Sequence, residues 1–225
     1  MNLIARMDSY SFPFINRRLA PKSGFRCCST ILCLIMVVLL QAGCRSGPPP
    51  KLYLLEVPAT TSDIDNHESE IIGSIGLASV TLPDYASDDR IASLTADGSV
   101  SQNDQHRWAE DPEDAMTRLL SARLRYHSGG TVLIEPWPRD YKPKARVEVI
   151  FDRLLRQTTG GAELTGQIHL LSGDGRRLLD ALQFAFKYRG GSTEYVAYFD
   201  ALAQGLDEIS RLVIDTLFVM QKASS

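Results

Sequence analysis

The stretches Arg146-Val147-Glu148-Val149-Ile150-Phe151-Asp152, Glu163-Leu164-Thr165-Gly166-Gln167-Ile168-His169-Leu170 and Leu182-Gln183-Phe184-Ala185-Phe186-Lys187 alternate apolar and polar side chains. A period of two sends successive side chains to opposite faces of a strand. Val147, Val149 and Phe151 then point one way while Arg146, Glu148 and Asp152 point the other. Leu164, Gly166, Ile168 and Leu170 share the dry face of the second strand, and Leu182, Phe184 and Phe186 that of the third. Gly160-Gly161 and Gly173-Asp174-Gly175 supply the turns. The reading is an antiparallel meander with one buried and one wet face.

That buried face needs a cover. Val196, Phe199, Leu202, Leu206, Ile209, Val213, Leu217 and Met220 recur at steps of three or four, one continuous apolar stripe from about Thr193 to Met220. A second helix is announced by Asp111-Pro112-Glu113-Asp114. Asp111 can cap backbone N–H groups, Pro112 suits the first helical position, and the following acids favour the positive dipole end. Met116, Leu119, Leu120 and Leu124 form its stripe, and Gly129-Gly130 ends it. The expected fold is α+β: a largely antiparallel sheet packed against two helices, in a two-layer single domain.

The remaining strands are shorter. Leu52-Tyr53-Leu54-Leu55 opens the domain, and Ile71 to Val80 reads as a strand bent at one of its glycines and stopped by Pro83. Arg90 to Ala96 and Ser99 to Arg107 flank Asp97-Gly98, a two-residue hairpin signal. Pro58 to Glu70 is polar and turn-rich, and reads as a loop.

Upstream, Cys44 follows the apolar run Ile31 to Leu40 and the small pair Ala42-Gly43, with Arg17, Arg18, Lys22 and Arg26 before it. A basic leader, a short apolar core and small residues at a processing point form a secretory signal. A cysteine directly after those small residues is the lipid-attachment position of a bacterial lipoprotein. Even counted from Cys27, the apolar stretch is about 14 residues, short of the roughly 20 that span a bilayer. Residues 1–43 are therefore expected to be removed, Cys44 to carry acyl chains such as palmitate, and 44–50, with Pro48-Pro49-Pro50, to form a semi-rigid tether. The domain proper is 51–225. The alternatives are an uncleaved anchor or cleavage elsewhere, and Gln41 stands where such signals usually carry an apolar residue.

Charge narrows the function further. Of 24 Lys/Arg and 27 Asp/Glu, the leader holds five and one, so the mature chain carries 19 and 26, about −7. A negative domain has no excess to neutralise phosphates, so nucleic acid is not an expected partner. Electrostatic adhesion to anionic lipid is equally unexpected, and membrane attachment would depend on the acyl chains. Cys27, Cys28 and Cys33 lie in the leader, which leaves Cys44 alone and no intramolecular disulfide.

Signals of chemistry are few. His67, His106, His127 and His169 fall in no metal-ligand spacing, and no G-x-S-x-G marks a nucleophile. Gly173-Asp174-Gly175 leads into a strand rather than a helix, so it is a hairpin turn and not a phosphate cradle. The acidic stretches Ser62 to Glu70 and Asp84 to Asp89 lack calcium-loop spacing. No catalytic residue, metal or cofactor is expected. Aromatic side chains at polar junctions are the remaining candidates. Tyr53, Trp108, Trp137, Tyr195 and Tyr198, with Phe199 beside them, serve either as packing at the core edge or as a partner surface, where Trp and Tyr are enriched.

In order along the chain, Gly43-Cys44, Pro48-Pro49-Pro50-Lys51-Leu52-Tyr53-Leu54-Leu55, Ile75-Gly76-Leu77-Ala78-Ser79-Val80-Thr81-Leu82-Pro83-Asp84-Tyr85, Asp89-Arg90-Ile91, Arg107-Trp108-Ala109-Glu110-Asp111-Pro112, Pro136-Trp137-Pro138 and Arg146-Val147-Glu148-Val149 resemble the PqiC-like family of ABC-type transport auxiliary lipoproteins. Asp111 departs from that pattern as an insertion before the proline. The resemblance implies a role rather than a reaction: partnership with an MCE-domain protein and an ABC transporter permease, in systems linked to lipid movement and envelope integrity. It further implies a homo-oligomer on the periplasmic face of the outer membrane. Arg45, after the acylated cysteine, is not the Asp that commonly holds lipoproteins at the inner membrane. The alternative from another class is a periplasmic lipid carrier with its own apolar pocket.

Overall fold

The computed structural model describes residues 47–56 and 72–224. The leader, Cys44, Arg45, the expected Pro58 to Glu70 loop and His67 lie outside the described residues. From Pro48 onward the chain forms one unit. In chain order its elements are β1 (Lys51–Tyr53), β2 (Ile75–Leu77), a 3₁₀ turn (Asp84–Ala86), β3 (Arg90–Leu94), β4 (Val100–Trp108), α1 (Pro112–Ser128), β5 (Val132–Ile134), β6 (Ala145–Gln157), β7 (Gly161–Ser172), β8 (Leu178–Arg189) and α2 (Tyr195–Ser224). The α+β reading holds, with eight strands in one sheet and two α-helices among the described residues.

The alternating stretches form the long meander. Val147 pairs with Leu170, Val149 with Ile168 and Phe151 with Gly166, and Gly166 in turn pairs with Phe184. These apolar residues are buried. Gly166 has no side chain because the Phe151 and Phe184 rings close over it, edge to face at 5.1 Å. A Cβ there would sit 2.2 Å from the Ile150 carbonyl oxygen and 2.7 Å from Phe184 Cζ. Within β6 alternation breaks at a bulge between Phe151 and Arg153. The extra residue, Asp152, is exposed and shifts the inward parity, so that Leu154 and then Arg156 turn toward the helical layer.

The sheet is mixed rather than wholly antiparallel. Its long ladders, β6–β7 and β7–β8, are antiparallel, as is β3–β4. Short parallel pairings add β1 to β4, β5 to β2, and both β2 and β3 to β6. Only Ile75–Leu77 of the apolar run Ile71 to Val80 is regular strand. Beyond Leu77 the chain still follows β6, with Ala78 and Thr81 donating to the Val147 and Val149 carbonyls. The Val80 N–H, however, donates to Thr117 Oγ1 on α1. That side-chain bond takes one strand donor out of the ladder and draws the segment beneath the helix.

The Asp97-Gly98 hairpin connects β3 and β4 as expected, with a longer loop. Thr95 N–H donates to the Ser99 carbonyl and Gly98 N–H to the Thr95 carbonyl. Gly98 takes φ 85°, the left-handed residue of a three-residue loop. Asp97 accepts from Ser99 N–H and Oγ and from Thr95 Oγ1, which locks this wider turn.

Helix α1 begins and ends where the sequence indicated. The Asp111 carboxylate accepts from the N–H groups of Glu113 and Asp114, and left-handed Gly129 returns its N–H to the Arg125 carbonyl. Met116, Leu119, Leu120 and Leu124 are fully buried. Helix α2 runs 30 residues, roughly 45 Å at 1.5 Å per residue. Its stripe from Phe199 to Leu217 is buried against α1 and β7. Val196 is an exception: expected within the stripe, it lies in the first turn of α2 and stays exposed. Between the helices Asp207 receives His127 Nε2 at 2.9 Å and Arg123 at 3.5 Å, and Arg211, one turn along α2, adds a third contact at 2.9 Å. Leu206→Ala is expected to lower unfolding free energy by about 2–5 kcal/mol through the cavity it leaves. Asp111→Ala should lower it by about 1 kcal/mol through the lost cap. Both are readable by denaturant titration.

Candidate functional site

The aromatic candidates separate into two places. Strand β1 lays Tyr53 beside β4, in register with Trp108 and one step from His106. The first turns of α2 bring Tyr195, Tyr198 and Phe199 over the same spot. Tyr53 stacks on Tyr195 and Phe199, both at 5.5 Å between centroids. His106 lies flat on Tyr195 at 3.9 Å and shares a 2.8 Å hydrogen bond between its Nδ1 and the Tyr53 hydroxyl. Trp108 meets Phe199 edge-on at 4.7 Å and Tyr198 at 6.5 Å.

Burial divides the roles within this cluster. Trp108 is 4% exposed and Tyr198 2%, so both serve as packing and are out of reach of a partner in the folded domain. Tyr53 and Tyr195 are partly exposed and form the outer layer. Beneath Tyr195 sits Arg156, its guanidinium 4.2 Å from the ring centroid. Arg156 also donates to the Thr193 carbonyl and to Ser93 Oγ. The buried cation is thus held by a ring face and two oxygens, and it ties β6 and β3 to the entry of α2.

His106 and Arg156 were invisible as site residues in the sequence. His106 falls in no ligand spacing, and Arg156 faces inward because the Asp152 bulge shifts the parity of β6. The surroundings also shift protonation. Burial, then Lys51 and Arg156, hold the His106 imidazole below its ordinary pKa. Burial, then Tyr195 and Glu194, push the Tyr53 phenol up, so it stays a neutral donor. A neutral imidazole with its proton on Nε2 accepts the Tyr53 O–H at Nδ1.

Next to the stack is a recess of about 400 Å³ lined by Tyr53, Leu54, Leu55, Val196 and Phe199, with Glu56 and Asp200 at its sides. Leu54 and Val196 are two further surface residues whose exposure the sequence pattern did not show.

Trp137 belongs elsewhere, beyond β5. It is partly buried, packs edge-on against Tyr141 at 6.0 Å and covers Gly76 of β2. A Cβ on Gly76 would fall 2.6 Å from Trp137 Cη2. The Tyr141 hydroxyl donates to the Ile75 and Thr131 carbonyls, which secures this corner. Trp137 is therefore not brought to the Tyr53 cluster. Among the described residues no group of three or more His, Cys, Asp or Glu side chains is placed to hold a metal, and no helix is long and apolar enough to cross a membrane.

The family model for the ABC-type transport auxiliary lipoprotein component matches residues 53–213, and the chain belongs to that family. It is a family of transport auxiliary components, not of enzymes. A solved structure of an uncharacterized protein superposes with TM-score 0.61 at 18% identity, covering 76% of this chain and 99% of that one. A protein from Xanthomonas campestris superposes with TM-score 0.60 at 15% identity, covering 77% and 99%. These two share the fold. A PelC dodecamer from Paraburkholderia phytofirmans gives TM-score 0.38 at 12% identity over 62% of this chain and 89% of that one, too loose to carry an argument. No curated protein matches in sequence.

Gly76→Ala is expected to push Trp137 off β2, at a cost of about 1–3 kcal/mol, and to change tryptophan emission while the domain still folds. For His106 the folded pKa lies below the unfolded value of about 6.5. Stability tied to the stack is then fully present above that value and lost as pH falls through it toward the folded pKa. Thermal melts between pH 8 and 5 should show a steeper acid decline in the parent protein than in His106→Gln.

Proposed function

We propose that this protein is a lipid-anchored component on the periplasmic face of the outer membrane, where it docks the MCE-domain partner of an ABC-type lipid transport system. The observation that carries this reading is membership of a lipoprotein family together with Cys44, placed directly after an apolar core and Ala42-Gly43. The mature chain begins at Cys44, the tether runs to Pro50, and the domain from Lys51 supplies the contact surface. Arg45 after the anchor cysteine agrees with delivery away from the inner membrane. The partly exposed layer of Tyr53 and Tyr195, backed by buried Trp108 and Tyr198, is a rigid aromatic surface suited to a protein partner. Several copies tethered in one plane add their contacts, so modest affinity per copy is enough to hold a partner. A homo-oligomer is the form that uses this best.

Cys44→Ala should leave the domain folded, move it from the membrane to the soluble fraction on flotation, and abolish envelope function. A soluble Cys44→Ala protein that still supports envelope integrity would refute the reading.

A further inference from the structure

The largest exposed apolar side chains near the tether are Leu52, Leu54 and Val196, 62%, 60% and 59% exposed. Leu52 and Leu54 alternate with Tyr53 and Leu55, which turn inward, so the first residues of the domain present one side to the core and leave two leucines outside. Val196, on the first turn of α2, borders the same recess as Leu54. Among the described residues, folding leaves these three side chains uncovered.

Their distance from the anchor identifies what would. Leu52 is eight residues after Cys44, and a chain extends at most about 3.3–3.6 Å per residue. The patch is therefore held within roughly 30 Å of the acylated residue, and Pro48-Pro49-Pro50 favours an extended, directed path. The charges around the patch decide which kind of lipid suits it. Glu56, Glu194 and Asp200 border this region and make no ion pair among the described residues, with Lys51 the nearby exposed cation. Carboxylates in that position repel anionic headgroups and tolerate zwitterionic ones.

We propose that Leu52, Leu54 and Val196 form a face that rests in the headgroup region of a zwitterionic bilayer and fixes how the domain stands over the membrane. This deepens the anchored reading above and rests on it. Tethering makes the patch–membrane contact intramolecular, so three apolar side chains suffice where a free domain would not bind. Fixing the domain's tilt presents the Tyr53 and Tyr195 layer at a constant height to whatever docks there.

The experiment uses the full acylated protein in phosphatidylethanolamine/phosphatidylcholine vesicles that contain nitroxide-labelled lipid. With the leader removed and Cys44 acylated, the chain has no other cysteine, so a thiol-reactive fluorophore reports one site in Val196→Cys or in Val219→Cys. Val219 is equally exposed near the far end of α2 and serves as the control. The expected result is a blue shift and strong quenching at 196, with little at 219. Leu52→Ser together with Leu54→Ser should reduce quenching at 196, as should replacing part of the lipid with phosphatidylglycerol. Protein that floats with vesicles but is quenched equally little at both sites would overturn this proposal and leave the anchored reading standing. So would a label at 196 that responds only when the MCE-domain protein is added, because the patch would then belong to a protein partner. Protein that fails to float removes the anchor itself, and both readings fall.

Discussion

Strand β6 is the constraint on which the rest of the domain depends. Its thirteen residues hydrogen-bond along one edge to β7, while the opposite edge is shared by β2 near its start and β3 at its end. The β2 and β3 pairings span only three and two residues, too few to persist as separate sheets. Anchored to one long strand, they join a common sheet and share the core under α1 and α2. The bulge at Asp152 is what lets one strand serve both ends. It bends β6, adds twist, and changes which side chains face the helices. Arg156 enters the interior as a consequence, and the aromatic cluster is arranged around that cation.

The long ladders were legible because each strand has one dry and one wet face, so a period of two is written directly into the residues. Helix α1 was legible at both ends because the Asp111 carboxylate satisfies the N–H groups of Glu113 and Asp114 and left-handed Gly129 returns its N–H to the Arg125 carbonyl. The short parallel pairings were not legible. Three residues such as Ile75-Gly76-Leu77 carry no period, and their partner is chosen by tertiary packing, here by Thr117 on α1 drawing in Val80. The bulge was hidden for a related reason. Asp152 and Arg153 are two polar residues in succession, which alternation alone reads as a strand nearing its end.

At the candidate site, residue type was a good guide to location and a poor one to exposure. Tyr53, Trp108, Tyr195 and Tyr198 all converge, as an aromatic cluster at polar junctions should, yet Trp108 and Tyr198 are packing while Tyr53 and Tyr195 are surface. The difference arises from depth along one direction. Tyr198 turns into the interior against Trp108, whereas Tyr195, the first residue of α2, stacks on His106 and Tyr53 and keeps part of its ring in solvent. Val196 beside it turns outward. A helical stripe predicts burial only for the side chains that meet another layer, and Val196 meets none.

The stack of His106, Tyr195 and Tyr53 has a role beyond offering a surface. Strand β1 is three residues long, pairs with β4 alone among the described residues, and follows directly on Pro48-Pro49-Pro50. Its ladder bonds are too few to hold the first element of a domain against fraying. Tyr53 compensates by reaching across to α2, where Tyr195 and Phe199 receive its ring, and to β4, where His106 receives its hydroxyl. Arg156 under Tyr195 then carries the connection into β6 and β3. The first strand is thus connected to the middle of the sheet through five side chains rather than through a long ladder. The same contacts give the aromatic layer and the buried cation at this corner a structural purpose: here the first strand of the domain is secured to the fold.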